Sequence, residues 1–171
     1  MFSHLANRFA ATARSTPTAR TIPSARTMSL NSAAARLANK TVLITGASSG
    51  IGRATAFEFS RTSPDIRLIL TVRRIDALRA VAAELAAESG GRTHVLPVQF
   101  DVSDAAAVRG FLAGLPPAWR DIDVLVNNAG LVKGVDHVGA IADADIAVMM
   151  STNVLGLIGV RSAGRRRGAA R

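Results

Sequence analysis

The sequence predicts an α/β domain built on a parallel, doubly wound sheet. Along the middle of the chain, short apolar runs alternate with amphipathic stretches of about 10–15 residues, which is the pattern of βαβ units. A glycine-rich segment, 45–52, joins the first apolar run to the first helical stretch. The chain has 171 residues, and 49% of them are hydrophobic, which is enough for one domain with its own core.

Each element is predicted from its own residues. The apolar run 41–45 predicts a buried strand, and residues 50–61 predict the helix that follows it. The remaining predicted strands are 66–72, 93–100 and 122–126, and the remaining predicted helices are 75–89, 104–114 and 141–160. The second helix has an apolar face and ends at the glycine pair 90–91, and Ser103 or Asp104 can cap the third.

The positive charge of the chain lies at its two ends. The net charge is +9, and the segments 1–30 and 161–171 contain four and five arginines with no acidic residue. The segment 31–160 holds twelve basic and twelve acidic residues. Basic ends on a neutral middle, with no tyrosine and few aromatic side chains for base stacking, argue against nucleic acid as a partner.

Three domain segments are therefore expected. Residues 1–37 form an N-terminal extension, residues 38–160 form the folded domain, and residues 161–171 form a basic tail. The tail has two interpretations. It is either a segment that contacts nucleic acid or a membrane, or the product of a misread gene that truncates the domain.

The N-terminal extension also has two interpretations. It is rich in Arg, Ser, Thr and Ala, and Phe2, Leu5 and Phe9 follow helical spacing, which is typical of a mitochondrial transit peptide. Alternatively, it has no targeting role, because it is either a disordered extension of no consequence or a stretch that precedes the true start codon at Met28. The predicted location is accordingly mitochondrial or cytoplasmic.

Composition argues against several other kinds of site. The chain has no cysteine, hence no disulfide framework and no thiolate chemistry. Its three histidines, His4, His94 and His137, are far apart, so we expect no metal site. No apolar run approaches the roughly 20 residues of a membrane-spanning helix, so no transmembrane segment is expected.

The glycine-rich segment has the form of a phosphate-binding turn. It reads T-G-A-S-S-G-I-G, with a predicted strand before it and a predicted helix after it. Glycines permit the tight turn and a close approach of phosphate to the backbone, and the helix N-terminus offers free N–H groups. This context favours a bound dinucleotide over a turn with no ligand.

Four motifs together resemble the short-chain dehydrogenase/reductase family. They are T-G-x-x-x-G-I-G at 45–52, Asp101-Val102 after the third strand, N-N-A-G at 127–130 after the fourth, and Asn153 in the fourth helix. The longer sequence segments around these motifs are similar to those of the NADP-dependent 3-hydroxy acid, or serine-type, dehydrogenase branch. The resemblance implies a Rossmann-type sheet in the order 3-2-1-4-5-6-7, of which this chain supplies only the first half, about four strands.

The resemblance also implies roles for particular residues. Gly46, Gly50 and Gly52 would shape the diphosphate loop, with Ser48, Ser49 and Ile51 near the phosphates. Asp101 would accept a hydrogen bond from the adenine amino group, with help from the Val102 amide. The residues expected along the adenosine and nicotinamide-ribose side are Asn128, Ala129 and Gly130. Asn127 would stabilise the sheet instead, and Asn153 matches the catalytic asparagine, which holds a water beside the active-site lysine.

The end of the second strand indicates the cofactor. An acidic residue there would bind the ribose 2′-OH of NAD, whereas arginine suits the 2′-phosphate of NADP. The chain has Arg73 and Arg74, with no acidic residue before Asp76, and a guanidinium group matches phosphate well. NADP is therefore predicted over NAD, with Arg53 as a weaker candidate contact. The alternative is an ordinary solvated basic pair.

The family's chemistry needs residues that this chain does not contain. The resemblance implies hydride transfer between NADP(H) and an alcohol or carbonyl, carried by a serine, a tyrosine and a lysine that follow the asparagine. The chain has no tyrosine, and its two lysines, Lys40 and Lys133, precede Asn153. The expected function is an NADP-dependent oxidoreductase that forms homo-oligomers at full length. The alternative is a truncated, catalytically inactive nucleotide-binding fragment.

Overall fold

The computed structural model describes residues 34–137 and 139–165. Its strands are β1 Thr41–Thr45, β2 Arg67–Val72, β3 His94–Gln99 and β4 Val124–Val126. All pairings are parallel, and the strand order is β3-β2-β1-β4. The predicted α/β class and the Rossmann-type order of the first four strands are confirmed.

Helices cover both faces of the sheet. They are α1 Gly50–Thr62, α2 Ile75–Glu88, α3 Ala105–Gly114, α4 Asp143–Met150 and α5 Leu157–Arg165. A π-helical segment, Ser151–Gly156, joins α4 to α5, and a short 3-10 helix, Pro117–Trp119, precedes β4.

The core has two parts because successive side chains of a strand point to opposite faces. On one face Ile44 and Leu70 pack with the buried sides of α1 and α2. On the other face Leu43 and Ile69 pack with α3 and with Val160 of α5. The sheet is therefore a buried middle layer, as expected for parallel strands.

Several element boundaries differ from the prediction by one or more residues, and two of these differences have an identifiable reason. The fourth strand begins at Val124 and not at 122, because the Asp123 carboxylate accepts the Thr41 backbone N–H at 2.9 Å. The last helix was expected to end at Val160 and continues to Arg165, because Ala163 packs against the cluster beneath α3.

Both ends of the chain lie largely outside the described residues. The predicted transit peptide falls within 1–33, and the end of the predicted basic tail is 166–171. The described part of the predicted extension is a helical turn, 34–37, whose Leu37 packs against the core beneath α1 and α2.

One helix is long enough to span a membrane, contrary to the expectation that no apolar segment reaches this length. The continuous helix Asp143–Gly164 has 22 residues, and its length and composition alone would suffice to cross a bilayer. Ser151, Thr152 and Asn153 lie in the middle of this helix, so its sequence does not read as one continuous apolar run. The core helix of a soluble protein meets the same criteria.

Candidate nucleotide-binding site

A cleft of about 280 Å³ lies at the carboxyl ends of the strands. Ligands of open α/β sheets bind at this edge. Nine of the thirteen predicted cofactor-binding residues line the cleft: Gly46, Ser48, Ser49, Arg73, Arg74, Asp101, Val102, Ala129 and Gly130. The other four, Gly50, Ile51, Gly52 and Asn128, are outside its lining.

The glycine turn needs its glycines for two reasons. Gly46 and Gly50 have φ angles of +68° and +52°, a region that side chains disfavour. A Cβ atom on Gly46 would lie 2.9 Å from Cα of Ala129, and one on Gly52 would overlap the Asn128 side chain and the Gly46 carbonyl. In contrast, a Cβ on Gly50 would meet open space. The turn is thus packed tightly on its protein side and open on the other.

The helix after this turn offers backbone donors. Ser49 precedes α1 in an extended conformation, and its side chain makes no capping hydrogen bond in the described structure. The first-turn N–H groups of a helix have no partner within the helix. They remain available to an anion, which the positive end of the helix dipole also attracts.

Thr45 ties the turn to the loop after β4. Its hydroxyl oxygen accepts the backbone N–H groups of Asn128 and Ala129 at 3.0 and 2.9 Å. The Asn128 side-chain amide in turn donates to the carbonyls of Thr45 and Gly46 at 3.0 and 3.1 Å. Asn128 therefore holds the loop after β4 against the glycine turn.

The two predicted phosphate-binding arginines lie together at the cleft. Arg73 and Arg74 follow β2, are exposed and both line the cleft. Gln99 at the end of β3 donates its side-chain amide to the Arg73 carbonyl at 3.1 Å. Arg53 points elsewhere, because its guanidinium pairs with Glu84 and stacks 4.5 Å above the Phe57 ring.

The loop after β3 is held by its own side chains. One oxygen of Asp101 accepts the backbone N–H and the hydroxyl of Ser103 at 2.9 and 2.7 Å. Phe100 stacks on Phe111 of α3, with ring centroids 4.3 Å apart. Asp104 caps α3 through the N–H groups at 106 and 107, which settles the choice between Ser103 and Asp104.

Asn153 anchors the loop after β4 to the long helix. Its amide nitrogen donates to the Leu131 carbonyl at 2.8 Å, and its side-chain oxygen accepts the Leu131 N–H at 2.9 Å. Asn153 belongs to the π-helical segment, and such segments are frequent at functional sites. Gly130 allows this approach, since a Cβ there would lie 3.3 Å from the asparagine oxygen.

The family model for short chain dehydrogenases matches residues 40–165. The chain belongs to the short-chain dehydrogenase family. The match begins one residue before β1 and ends at the last residue of α5, so it covers the whole sheet and the cleft.

Relatives of this short-chain dehydrogenase chain confirm the predicted branch. It is 46% identical over 128 residues to the NADP-dependent 3-hydroxy acid dehydrogenase of Schizosaccharomyces pombe, covering 75% of this chain and 48% of the relative. It is 43% identical over 120 residues to the serine 3-dehydrogenase of Rhizobium radiobacter, covering 70% and 45%. The chain thus spans about half the length of the curated relatives it matches.

Solved structures of short-chain dehydrogenases have the same fold. A metagenomic short-chain oxidoreductase in complex with NADP matches with a TM-score of 0.67 and 31% identity, over 74% of this chain and 55% of that one. An NAD+-bound xylitol dehydrogenase matches with a TM-score of 0.69 and 28% identity, over 77% and 48%.

Sequence reasoning missed part of the cleft of this short-chain dehydrogenase. The unpredicted lining residues are Thr71, Val72, Ala77, Phe100 and Thr152. Val72, Phe100 and Thr152 each precede a predicted residue, so their positions in the chain could have indicated them. No local signal marks Thr71 or Ala77, which the fold brings to the cleft.

A larger groove lies away from the glycine turn of this short-chain dehydrogenase chain. It measures about 630 Å³ and runs between α3 and α5, with Val108, Leu112 and Leu155 among its apolar lining. Of the predicted site residues it includes only Val102. Among the described residues no group of three or more His, Cys, Asp or Glu side chains could hold a metal ion.

Proposed function

We propose that this chain binds NADP in the cleft at the carboxyl ends of its strands. The observation that carries the proposal is the position of Arg73 and Arg74, which line the same cleft as the glycine turn. A dinucleotide bound at the turn would extend its adenosine ribose towards the end of β2. Two exposed guanidinium groups at that position favour a 2′-phosphate, with which they can form charge-assisted hydrogen bonds.

The residues of the cleft fit such a ligand. The open side of the glycine turn and the uncapped amides of α1 would hold the diphosphate. Asp101 would hold the adenine amino group through the carboxylate oxygen that does not bind Ser103. Ala129 and Gly130 line the remaining side. When bound, NADP(H) supplies or accepts the hydride.

We further propose that the whole protein transfers a hydride between NADP(H) and the alcohol or carbonyl group of a small 3-hydroxy acid. The names of two relatives, a 3-hydroxy acid dehydrogenase and a serine 3-dehydrogenase, support this substrate class. The protein would act as a homo-oligomer in mitochondria or the cytoplasm.

Nucleotide selectivity is the direct test of the proposal. Isothermal titration of the 171-residue chain should show tighter binding of NADP than of NAD. Replacing both Arg73 and Arg74 by alanine should weaken NADP binding roughly 10- to 100-fold and leave NAD binding almost unchanged, because only the phosphate contact is removed.

A charge-matched control is the double variant Arg79→Ala and Arg92→Ala, which removes two exposed arginines outside the cleft. It should retain NADP binding. Equal affinity of the unaltered chain for NAD and NADP, or equal losses in both double variants, would contradict the NADP proposal.

A second candidate function is nucleotide binding without catalysis. It is favoured by the absence of tyrosine from the sequence. In addition, neither lysine lines the cleft. Lys40 pairs with Asp123, and the Lys133 Nζ atom lies 3.7 Å from a carboxylate oxygen of Asp145. No tyrosine–lysine pair is available in this chain to lower a hydroxyl pKa and transfer a proton.

Turnover separates the two candidates. The purified 171-residue chain should bind NADPH but should not consume it in the presence of small 3-oxo acids, measured by loss of NADPH absorbance. Turnover that disappears in an Asn153→Ala variant would show that this chain is catalytic. Transcript sequencing across codons 155–171, with the intact mass of the cellular protein, would then show which chain the cell makes.

A further inference from the structure

Thr71 carries a buried hydroxyl with no partner. The residue is 0% exposed, and among the described residues its Oγ1 is the only buried side-chain polar atom that lacks a hydrogen bond. Thr71 also lines the nucleotide cleft. An unpaired buried hydroxyl opposes folding, and buried polar groups are nearly always paired.

The direction of this side chain follows from the register of the sheet. Thr71 lies in β2 between Thr45 and Val98 of the neighbouring strands. Because side chains alternate along a strand, Thr71 is on the face of Ile69, which packs with Phe100 and Val102. The Thr71 side chain is therefore on the sheet face that packs with the start of the loop after β3, opposite to Leu70, and it lines the cleft from there.

Other buried threonines of the molecule show what a satisfied hydroxyl looks like. The hydroxyl oxygen of Thr45 accepts two backbone N–H groups. The hydroxyl of Thr93 donates to the Pro64 carbonyl at 2.9 Å and lies 2.7 Å from that of Ser60. Unlike these two hydroxyls, that of Thr71 has no partner among the described residues, and the residue lies at the cleft, so its missing partner is expected to arrive with a ligand.

We propose that Thr71 is a ligand-binding residue whose hydroxyl forms a hydrogen bond with the nucleoside part of the bound nucleotide. The inference rests on the proposed function, since it takes the occupant of the cleft to be a nucleotide. The glycine turn and the helix N-terminus provide for the phosphates, whereas the Thr71 side chain is on the sheet face that packs with Phe100 and Val102. A base edge and a ribose carry both donors and acceptors, and a hydroxyl can satisfy either.

The test compares Thr71→Val, which removes the hydroxyl and keeps the shape, with Thr71→Ser, which keeps the hydroxyl. The probes are NADP and adenosine 2′,5′-bisphosphate, titrated against the whole 171-residue chain, with thermal unfolding of the ligand-free chain in parallel. Thr71→Val should bind both probes about tenfold more weakly. Its ligand-free Tm should rise by about 2–4 °C because an unpaired hydroxyl is gone. Thr71→Ser should bind within about threefold of the unaltered chain.

Thr93→Val is the matched control, because it removes a buried hydroxyl that has partners. It should lower Tm and leave the affinity of the folded chain unchanged. If Thr71→Val binds like the unaltered chain, or loses Tm as Thr93→Val does, the assignment of Thr71 is overturned while the NADP proposal stands. If the unaltered chain binds neither probe, the NADP proposal fails and the assignment fails with it.

Discussion

The helix layers on the two faces of the sheet leave different amounts of apolar surface exposed. On the face of α1 and α2, the strand residues Val42, Ile44, Leu68 and Leu70 are all 0% exposed. On the other face the cluster beneath α3 and α5 is also buried, but the long helix keeps an exposed apolar side. That side includes Ile146, Met150, Leu155, Leu157 and Ile158, which are 42–65% exposed.

The chain therefore covers the apolar surface of one helix layer more fully than that of the other. The first face is closed by two helices of the chain itself. The second presents an apolar helix side that no described residue covers, beside a β4 strand that pairs only with β1 among the described strands. Exposed apolar surface and unpaired strand edges favour association. The nucleotide cleft lies between the two regions and takes residues from both.

The largest expected effect compares one leucine from each region. Leu70→Ala removes a fully buried side chain and should destabilise the fold by about 3–4 kcal/mol, since the packed core cannot collapse onto the cavity. Leu155 is 65% exposed, so Leu155→Ala should change stability by no more than about 0.5 kcal/mol. Urea unfolding measures both, and comparable losses would show that the two faces are equally closed.

A smaller effect is expected where the long helix meets the cleft. Asn153→Ala removes both side-chain hydrogen bonds to Leu131 and should cost about 1–2 kcal/mol. The Leu131 amide should then exchange its hydrogen faster, as seen by mass spectrometry or NMR. Asn153→Asp keeps the acceptor and loses the donor, so its stability should lie between those of the unaltered chain and the alanine variant. Unchanged Leu131 exchange in the alanine variant would show that another contact holds the loop.

The smallest effect is expected at the amino ends of the strands, far from the cleft. Burial raises the pKa of the Asp123 carboxyl, but hydrogen bonds from Lys40 and the Thr41 N–H, together with the Lys40 charge, outweigh it and hold that pKa below its ordinary value. A carboxyl with a lowered folded-state pKa stabilises the fold above its unfolded pKa and loses this contribution as pH falls through the folded value.

Asp123→Asn should therefore cost about 0.5–1 kcal/mol at pH 7, a modest figure because the pair is partly exposed. The difference from the unaltered chain should shrink below about pH 4. Asp121→Asn, next to it in sequence, should show no comparable loss at pH 7. Unfolding midpoints measured from pH 7 to pH 2.5 give the comparison, and a pH-independent difference would show that the carboxyl's titration contributes nothing.

Sequence reasoning was most successful where the signal is local. The glycine turn and the arginine pair are contiguous, and their neighbours in the chain place them at strand ends, where the structure also has them. It was less successful where two distant segments meet. Asn127 and Asn128 are adjacent and alike in sequence, yet only the fold shows that the Asn128 amide reaches back to Thr45 and Gly46.

The strand–helix alternation, the family, and the strand order that this family implies follow from the sequence, because apolar periodicity and glycine placement act over a few residues. The folded structure was needed to show which buried hydroxyls are paired, that Asn153 binds Leu131, and that the long helix keeps an apolar side exposed. These properties depend on contacts between segments tens of residues apart. Their geometry is set by packing and register, which no local pattern encodes.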